Sequence, residues 1–220
     1  MTQKKFKERK LRIAKLNRAL KKLFPKAAIE LVFKNPLELL VAVELSAQCT
    51  DKMVNKITAN LFRKYCTLDD YVKADPREFE RDIRRSGFYR SKTKNILAAA
   101  RLLKEKFGGK VPCTMEEMLT LPGVARKTAN VVLREAHGVI AGVAVDTHVI
   151  RFVKRYDLSD YREPVKIERD LMWLLTKKEW PLFTHRVIHY GRYLAPARPY
   201  DTSKDPLVKI YPKAGKIFRP

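Results

Sequence analysis

The residues in this chain best placed to do chemistry gather around one lysine. Residues 121–127 read Leu-Pro-Gly-Val-Ala-Arg-Lys. Pro122-Gly123 marks a tight turn, because proline fixes φ and glycine takes a positive φ at little cost. Beyond it Lys127, Val131, Val132 and Ala136 recur at helical spacing, which predicts a helix ending at His137-Gly138. The amides at a helix start have no intrahelical partner and face outward at the positive end of the dipole, so this start is an anion site. An ordinary interhelical turn with a solvated lysine would use the same residues. Nineteen positions after Lys127, Asp146 stands directly before another helical pattern, where capping alone would account for an aspartate.

Composition says which anion suits the hairpin. The 220 residues include 47 Lys and Arg against 24 Asp and Glu, a formal charge of +23. Such a surplus points to a polyanion, with nucleic acid the first candidate and a merely solubilising surface the alternative. Cys49, Cys66 and Cys113 are dispersed without metal-ligand spacing, which implies a reducing compartment and no disulfide framework. No apolar run reaches spanning length, and the lysine-rich start lacks a signal peptide's apolar core, so no membrane partner and a cytoplasmic, nucleoid-associated location are expected.

The positioning elements read as helices. Leu11, Ile13, Leu16, Leu20 and Leu23 interleave with lysines, predicting an amphipathic helix over about 8–24 with its charges toward solvent. Asn35-Pro36 opens a run that is apolar on nearly all sides, a buried central helix. Further helices are expected near 51–65, 68–74, 76–85, 91–107, 147–156, 163–177 and 181–193. The run Gly-Val-Ile-Ala-Gly-Val-Ala-Val (138–145) is the main β-branched exception, and the proline-bearing tail from Pro196 reads as extended or irregular. The fold class is all-α.

"LPGVARKTANVVL" followed by "VDTHVIR" resembles the endonuclease III family of helix-hairpin-helix DNA glycosylases, with "LLVAVELSAQCTD", "GFYRSKTKNI" and "HYGRYLAPARP" as further matches. The likeness runs from about residue 10 to 198. It implies a two-lobed fold, with a six-helix barrel over 29–139 and a second domain from 1–28 plus 140–220. A DNA cleft would lie between the lobes. It also implies a monomer that acts on double-stranded DNA carrying a damaged base or an abasic site. Lys127 would be the nucleophile at the sugar's anomeric carbon, and the Schiff base it forms would allow β-elimination. Asp146 would stabilise the developing positive charge. The hairpin amides around Gly123 and Ala125, flanked by Arg126 and Thr128, would hold a phosphate. Gln48 would enter the gap left by the flipped nucleotide, and Phe88 would stand where the family has a leucine wedge. Asp51 would line the pocket. His148 could contact DNA or simply pack between helices.

Two departures from the family stand out. Ala125 replaces the second glycine of the usual Gly-Val-Gly hairpin, which matters only if that position needs a positive φ. Most members also bind a four-iron, four-sulfur cluster through four cysteines spaced with six, two and five residues between them. Here those places are Ala195, Thr202, Asp205 and Tyr211, so no metal or other cofactor is expected. The tail would be held instead by packing of Tyr193, Tyr200, Leu207, Ile210 and Tyr211. The resulting expectation is a bifunctional glycosylase and lyase acting on oxidised pyrimidines. The alternatives are a mismatch glycosylase removing thymine or adenine, and a non-catalytic DNA-binding module.

Overall fold

The computed structural model describes residues 2–218, and the described residues form helices joined by turns, with no strand. Their contacts divide them into two units. One is Glu30–Ala141; the other combines the residues up to Ile29 with those from Gly142 onward.

In the first unit, α2 (Pro36–Leu45) is the central helix. Asn35 Oδ1 accepts the Glu38 amide at 2.9 Å and Pro36 occupies the first helical position. Every residue from Leu39 to Leu45 is buried. Around α2 pack α3 (Asp51–Lys64), α6 (Tyr89–Lys106) and α8 (Arg126–His137). The short helices α4 (Leu68–Lys73) and α5 (Pro76–Ile83) pack on α6, and α7 (Met115–Met118) leads into the turn before α8.

In the second unit α1 (Gln3–Leu23) packs with α10 (Pro164–Leu174), α11 (Trp180–Tyr193) and α12 (Pro206–Ile210), while α9 (Thr147–Arg155) packs on α10 and α11. Ile13, Leu16, Leu20, Phe152, Leu171 and Phe183 belong to its core. α1 starts earlier than its apolar periodicity suggests, because Thr2 accepts the Lys5 amide and caps an extra turn. The charges of α1 are not all in water either. Arg9 is fully buried, and its guanidinium donates to the Asp157 carbonyl and to the carboxylates of Asp157 and Asp160. Bidentate carboxylate partners are what make such burial tolerable. Leu11, counted with the apolar set, is 68% exposed.

The β-branched run keeps to the all-α reading, whereas the expectation for the tail needs correcting. Residues 138–145 form no strand; Val143 and Val145 are buried in an extended segment whose Ala144 carbonyl accepts the Thr184 hydroxyl at 2.9 Å. With no neighbouring strand to pair, the alternation serves only to bury side chains. Nor is the tail irregular throughout. Asp205 and Pro206 form a cap and first-turn proline for α12, whose Leu207 is fully buried.

Candidate active site

The hairpin sits in the Glu30–Ala141 unit. Gly123 has φ +82°, a conformation that side-chain-bearing residues avoid. A Cβ there would lie 2.7 Å from Glu44 Oε2 and 2.9 Å from the Asn95 Cβ, so the turn is pressed against α2 and α6. Ala125 is the N-cap of α8 with φ −88° and ψ 168°, ordinary extended backbone, so alanine costs nothing there. No side chain caps this helix start, in contrast to α2, α3 and α9. Lys127 and Thr128 lie half-buried in its first turn beside Arg126, and Gly138 closes the helix at φ +68°.

Gln48 and Phe88 are both exposed and share an unusual backbone state. Among the described residues three non-glycines have positive φ, and two of them are Gln48 at 54° and Phe88 at 47°. Strain of this kind persists only where surrounding structure enforces it, and it concentrates at functional sites. Gln48 lies in the turn after α2, and Phe88, 65% exposed, follows Gly87 at the head of α6. Behind both runs Lys92. Its ammonium, 6% exposed, donates to the Leu45 and Ser86 carbonyls, each at 2.8 Å. Asp51 opens α3, where a carboxylate suits the helix dipole, and Thr50 caps that helix.

Asp146 caps α9 in the second unit, its Oδ1 accepting the Val149 amide at 2.9 Å. Oδ2 takes no part in that cap. His148 is half-buried, and its ring packs directly on Gly191 of α11, with Arg151 Nη2 2.7 Å from where a Gly191 Cβ would stand. Gly191 is therefore glycine for space, and the histidine has a packing role within its unit.

The burial of the Glu44 and Asp205 carboxyls escaped the sequence reading. Glu44 is 6% exposed, and burial alone pushes its carboxyl up to about 8. Its signal in the sequence was a single charge within Leu-Leu-Val-Ala-Val-Glu-Leu. Asp205, 4% exposed, organises the tail. Its Oδ1 accepts the Leu207 and Val208 amides at 2.9 and 3.4 Å, and its Oδ2 accepts the hydroxyls of Tyr190 and Tyr200. Tyr156 hydrogen-bonds to Tyr190 at 2.7 Å, and Arg155 Nη2 lies 3.6 Å from Asp205. Burial holds the phenols of Tyr156, Tyr190 and Tyr200 above their ordinary range, so they remain hydrogen donors.

This arrangement does not fit an iron–sulfur cluster. Ala195 has no ligand atom, Asp205 has both oxygens engaged, and the Tyr211 ring lies under Arg12 at 4.1 Å. All three cysteines are in the other unit, and no group of acidic, cysteine or histidine residues among the described ones could hold a metal ion. Of the tail aromatics expected to pack, Tyr200 and Tyr211 do so with Leu207 and Ile210. Tyr193 is 64% exposed, with its ring against His189, and lies outside that core.

Residues 41–177 match the family model described as HhH-GPD superfamily base excision DNA repair protein. An endonuclease III of Synechocystis sp. is 46% identical over 210 residues, covering 96% of each chain. Among solved structures, a non-covalent endonuclease III–DNA complex is 44% identical with a TM-score of 0.89, covering 94% of this chain and 97% of the other. A trapped endonuclease III–DNA covalent intermediate is 43% identical with a TM-score of 0.90, covering 96% and 99%.

Proposed function

Because the chain belongs to the endonuclease III family of the HhH-GPD superfamily, and is thus a DNA-binding base-excision-repair glycosylase and AP lyase, we propose that it removes oxidised pyrimidines with Lys127 as nucleophile. The observation that carries this reading is a lysine in the first turn of α8, behind an uncapped helix start and the Gly123 turn. A solved relative with 43% identity, trapped covalently on DNA, supports it.

The Lys127 amine attacks the anomeric carbon in its neutral form. The bond to the base breaks, and the base leaves with the bonding electrons and takes up a proton. Asp146 offers a carboxylate to the positive charge that builds on the sugar while this happens. The nitrogen then gives up a proton and the sugar's C1′–O4′ bond breaks, its electrons and a proton going to the ring oxygen. The Schiff base so formed acidifies the neighbouring sugar carbon, and loss of that carbon's proton expels the 3′ phosphate. Hydrolysis then frees the lysine. The hairpin amides near Gly123 and Ala125 grip a phosphate, aided by Arg126 and Thr128. Gln48 and Phe88 enter the stack vacated by the flipped nucleotide, and Asp51 lines the pocket. For His148 the packing on Gly191 favours a supporting role over a direct contact with DNA.

The substrate is duplex DNA, the enzyme acts as a monomer, and the nucleoid of the cytoplasm is its place of work. The Asp205 network holds the tail through protein groups alone, which supports an enzyme that needs no iron.

Borohydride trapping on abasic DNA tests the assignment. Wild-type protein forms the covalent adduct, and Lys127→Ala and Lys127→Gln do not, although both retain the fold because the position is at a helix start. Asp146→Asn still caps α9, since asparagine caps about as well, but loses base release more than abasic cleavage. A Lys127→Ala protein trapped at near wild-type rate would reduce the hairpin to a phosphate clamp.

A further inference from the structure

Two loops of the Glu30–Ala141 unit end in exposed residues with left-handed backbone, Gln48 and Phe88. Neither is glycine, so each conformation is strained and needs something to hold it. The turn at Gln48 begins at Leu45, the last residue of α2, whose carbonyl has no intrahelical amide left to accept. The turn at Phe88 begins at Ser86, which is itself fully buried. Lys92 reaches both. Its Nζ is 2.8 Å from the Leu45 oxygen and 2.8 Å from the Ser86 oxygen, three residues before Gln48 and two before Phe88. Its own backbone amide adds a bond to the Phe88 carbonyl at 3.0 Å.

We propose that Lys92 is a positioning residue that ties the two loops together, so that Gln48 and Phe88 enter the base stack as a single device. The proposal rests on the reading of those two side chains as insertion residues. A buried cation is an expensive tie, and burial lowers the affinity of this amine for its proton. An apolar side chain of the same length would fill the space without that cost, but it would leave two buried carbonyls unmatched and the loops independent. Placing a cation at the C-terminal end of α2 also uses the negative end of that helix dipole. Because one ammonium bonds both carbonyls, a displacement of either loop is felt by the other. That is the condition for two residues 40 positions apart in sequence (88 − 48) to act in register.

The test is a set of double-mutant cycles on the full chain, using a duplex with one oxidised pyrimidine and the same lesion in a single strand. Opening a stack is required only in the duplex. Gln48→Ala and Phe88→Ala should each lose more on the duplex, and their losses should be non-additive in the wild-type background. Lys92→Met keeps the aliphatic stem and removes the donors. Its kcat/KM should fall roughly tenfold further on the duplex than on the single strand, the size of one strong pairwise coupling. The Gln48 and Phe88 losses should become additive in that background, and Lys92→Arg, which restores donors, should recover part of the duplex activity. Simple additivity of Gln48→Ala and Phe88→Ala in the wild-type background overturns the coupling without any Lys92 variant. Equal losses on both substrates for folded Lys92→Met overturn it as well. If Gln48→Ala and Phe88→Ala themselves lose equally on the two substrates, the insertion reading is what has failed.

Discussion

Lys127, Asp146 and Glu44 illustrate how differently single residues relate to their surroundings. Asp146 serves its helix through one oxygen and leaves the other outside the cap. Glu44 is buried beneath the Gly123 turn. Its carboxyl sits against Gly123, and Oε1 is a buried oxygen with no hydrogen-bond partner. The consequence is a pH dependence of stability. The folded group keeps its proton to about 8, whereas its ordinary value is 4.5, so the unfolded chain releases the proton first as pH rises. Stability from this group is therefore greatest below about 4.5, falls steadily up to about 8, and stays at the lower level above that. Between pH 5 and 8 the loss is about 3 kcal/mol. Urea unfolding across that range should show Glu44→Gln declining less with pH than wild type by an amount of this order. Parallel curves for the two proteins would mean that Glu44 ionises freely.

At the scale of elements, the hairpin is specified by three contacts that converge on one missing side chain. Gly123 needs a positive φ, and α2 and α6 close the space where a Cβ would go. Gly123→Ala is thus strained in its backbone and clashes with Glu44 and Asn95. It should cost roughly 2–4 kcal/mol of stability, the sum of a left-handed alanine and an overpacked site. Denaturant titration measures the cost, and binding to an uncleavable abasic analogue should weaken with it as the turn moves. A change under about 1 kcal/mol would show that the turn can shift without disturbing its neighbours. Ala125→Gly should do little by comparison, since the backbone there is ordinary for any residue.

For the molecule as a whole, the tail is organised around one buried carboxyl. Arg155, Tyr156, Tyr190 and Tyr200 converge on Asp205, and Arg155 Nε also donates to the Ala214 carbonyl at 3.0 Å. Removing the carboxylate strands several buried donors at once. Asp205→Ala should destabilise the protein by about 2–5 kcal/mol, the range for breaking a buried charged network. Limited proteolysis should then cut first after residue 195, and melting of the wild type should be indifferent to iron chelators. Stoichiometric iron and sulfide in anaerobically purified protein would overturn this account of the tail.

Much of the molecule could be read from residue order alone. The helices follow from apolar spacing together with their Asn, Thr, Asp and Pro caps, and the hairpin lysine with its downstream aspartate stood out as a motif. These features are local, depending on residues within a few turns of one another. The left-handed backbone of Gln48 and Phe88 was not legible, because no propensity favours it; their neighbours impose it. Nor were the burial of Arg9, the tie made by Lys92 or the short helix α12. Arg9 meets Asp157 across 148 positions, Lys92 meets Leu45 across 47, and Tyr190 meets Asp205 across 15. Whether a charged side chain lies in water or inside depends on partners that approach only when distant segments pack. The sequence determined which helices form and which chemistry they carry, while tertiary packing decided which polar groups are buried and what they hold in place.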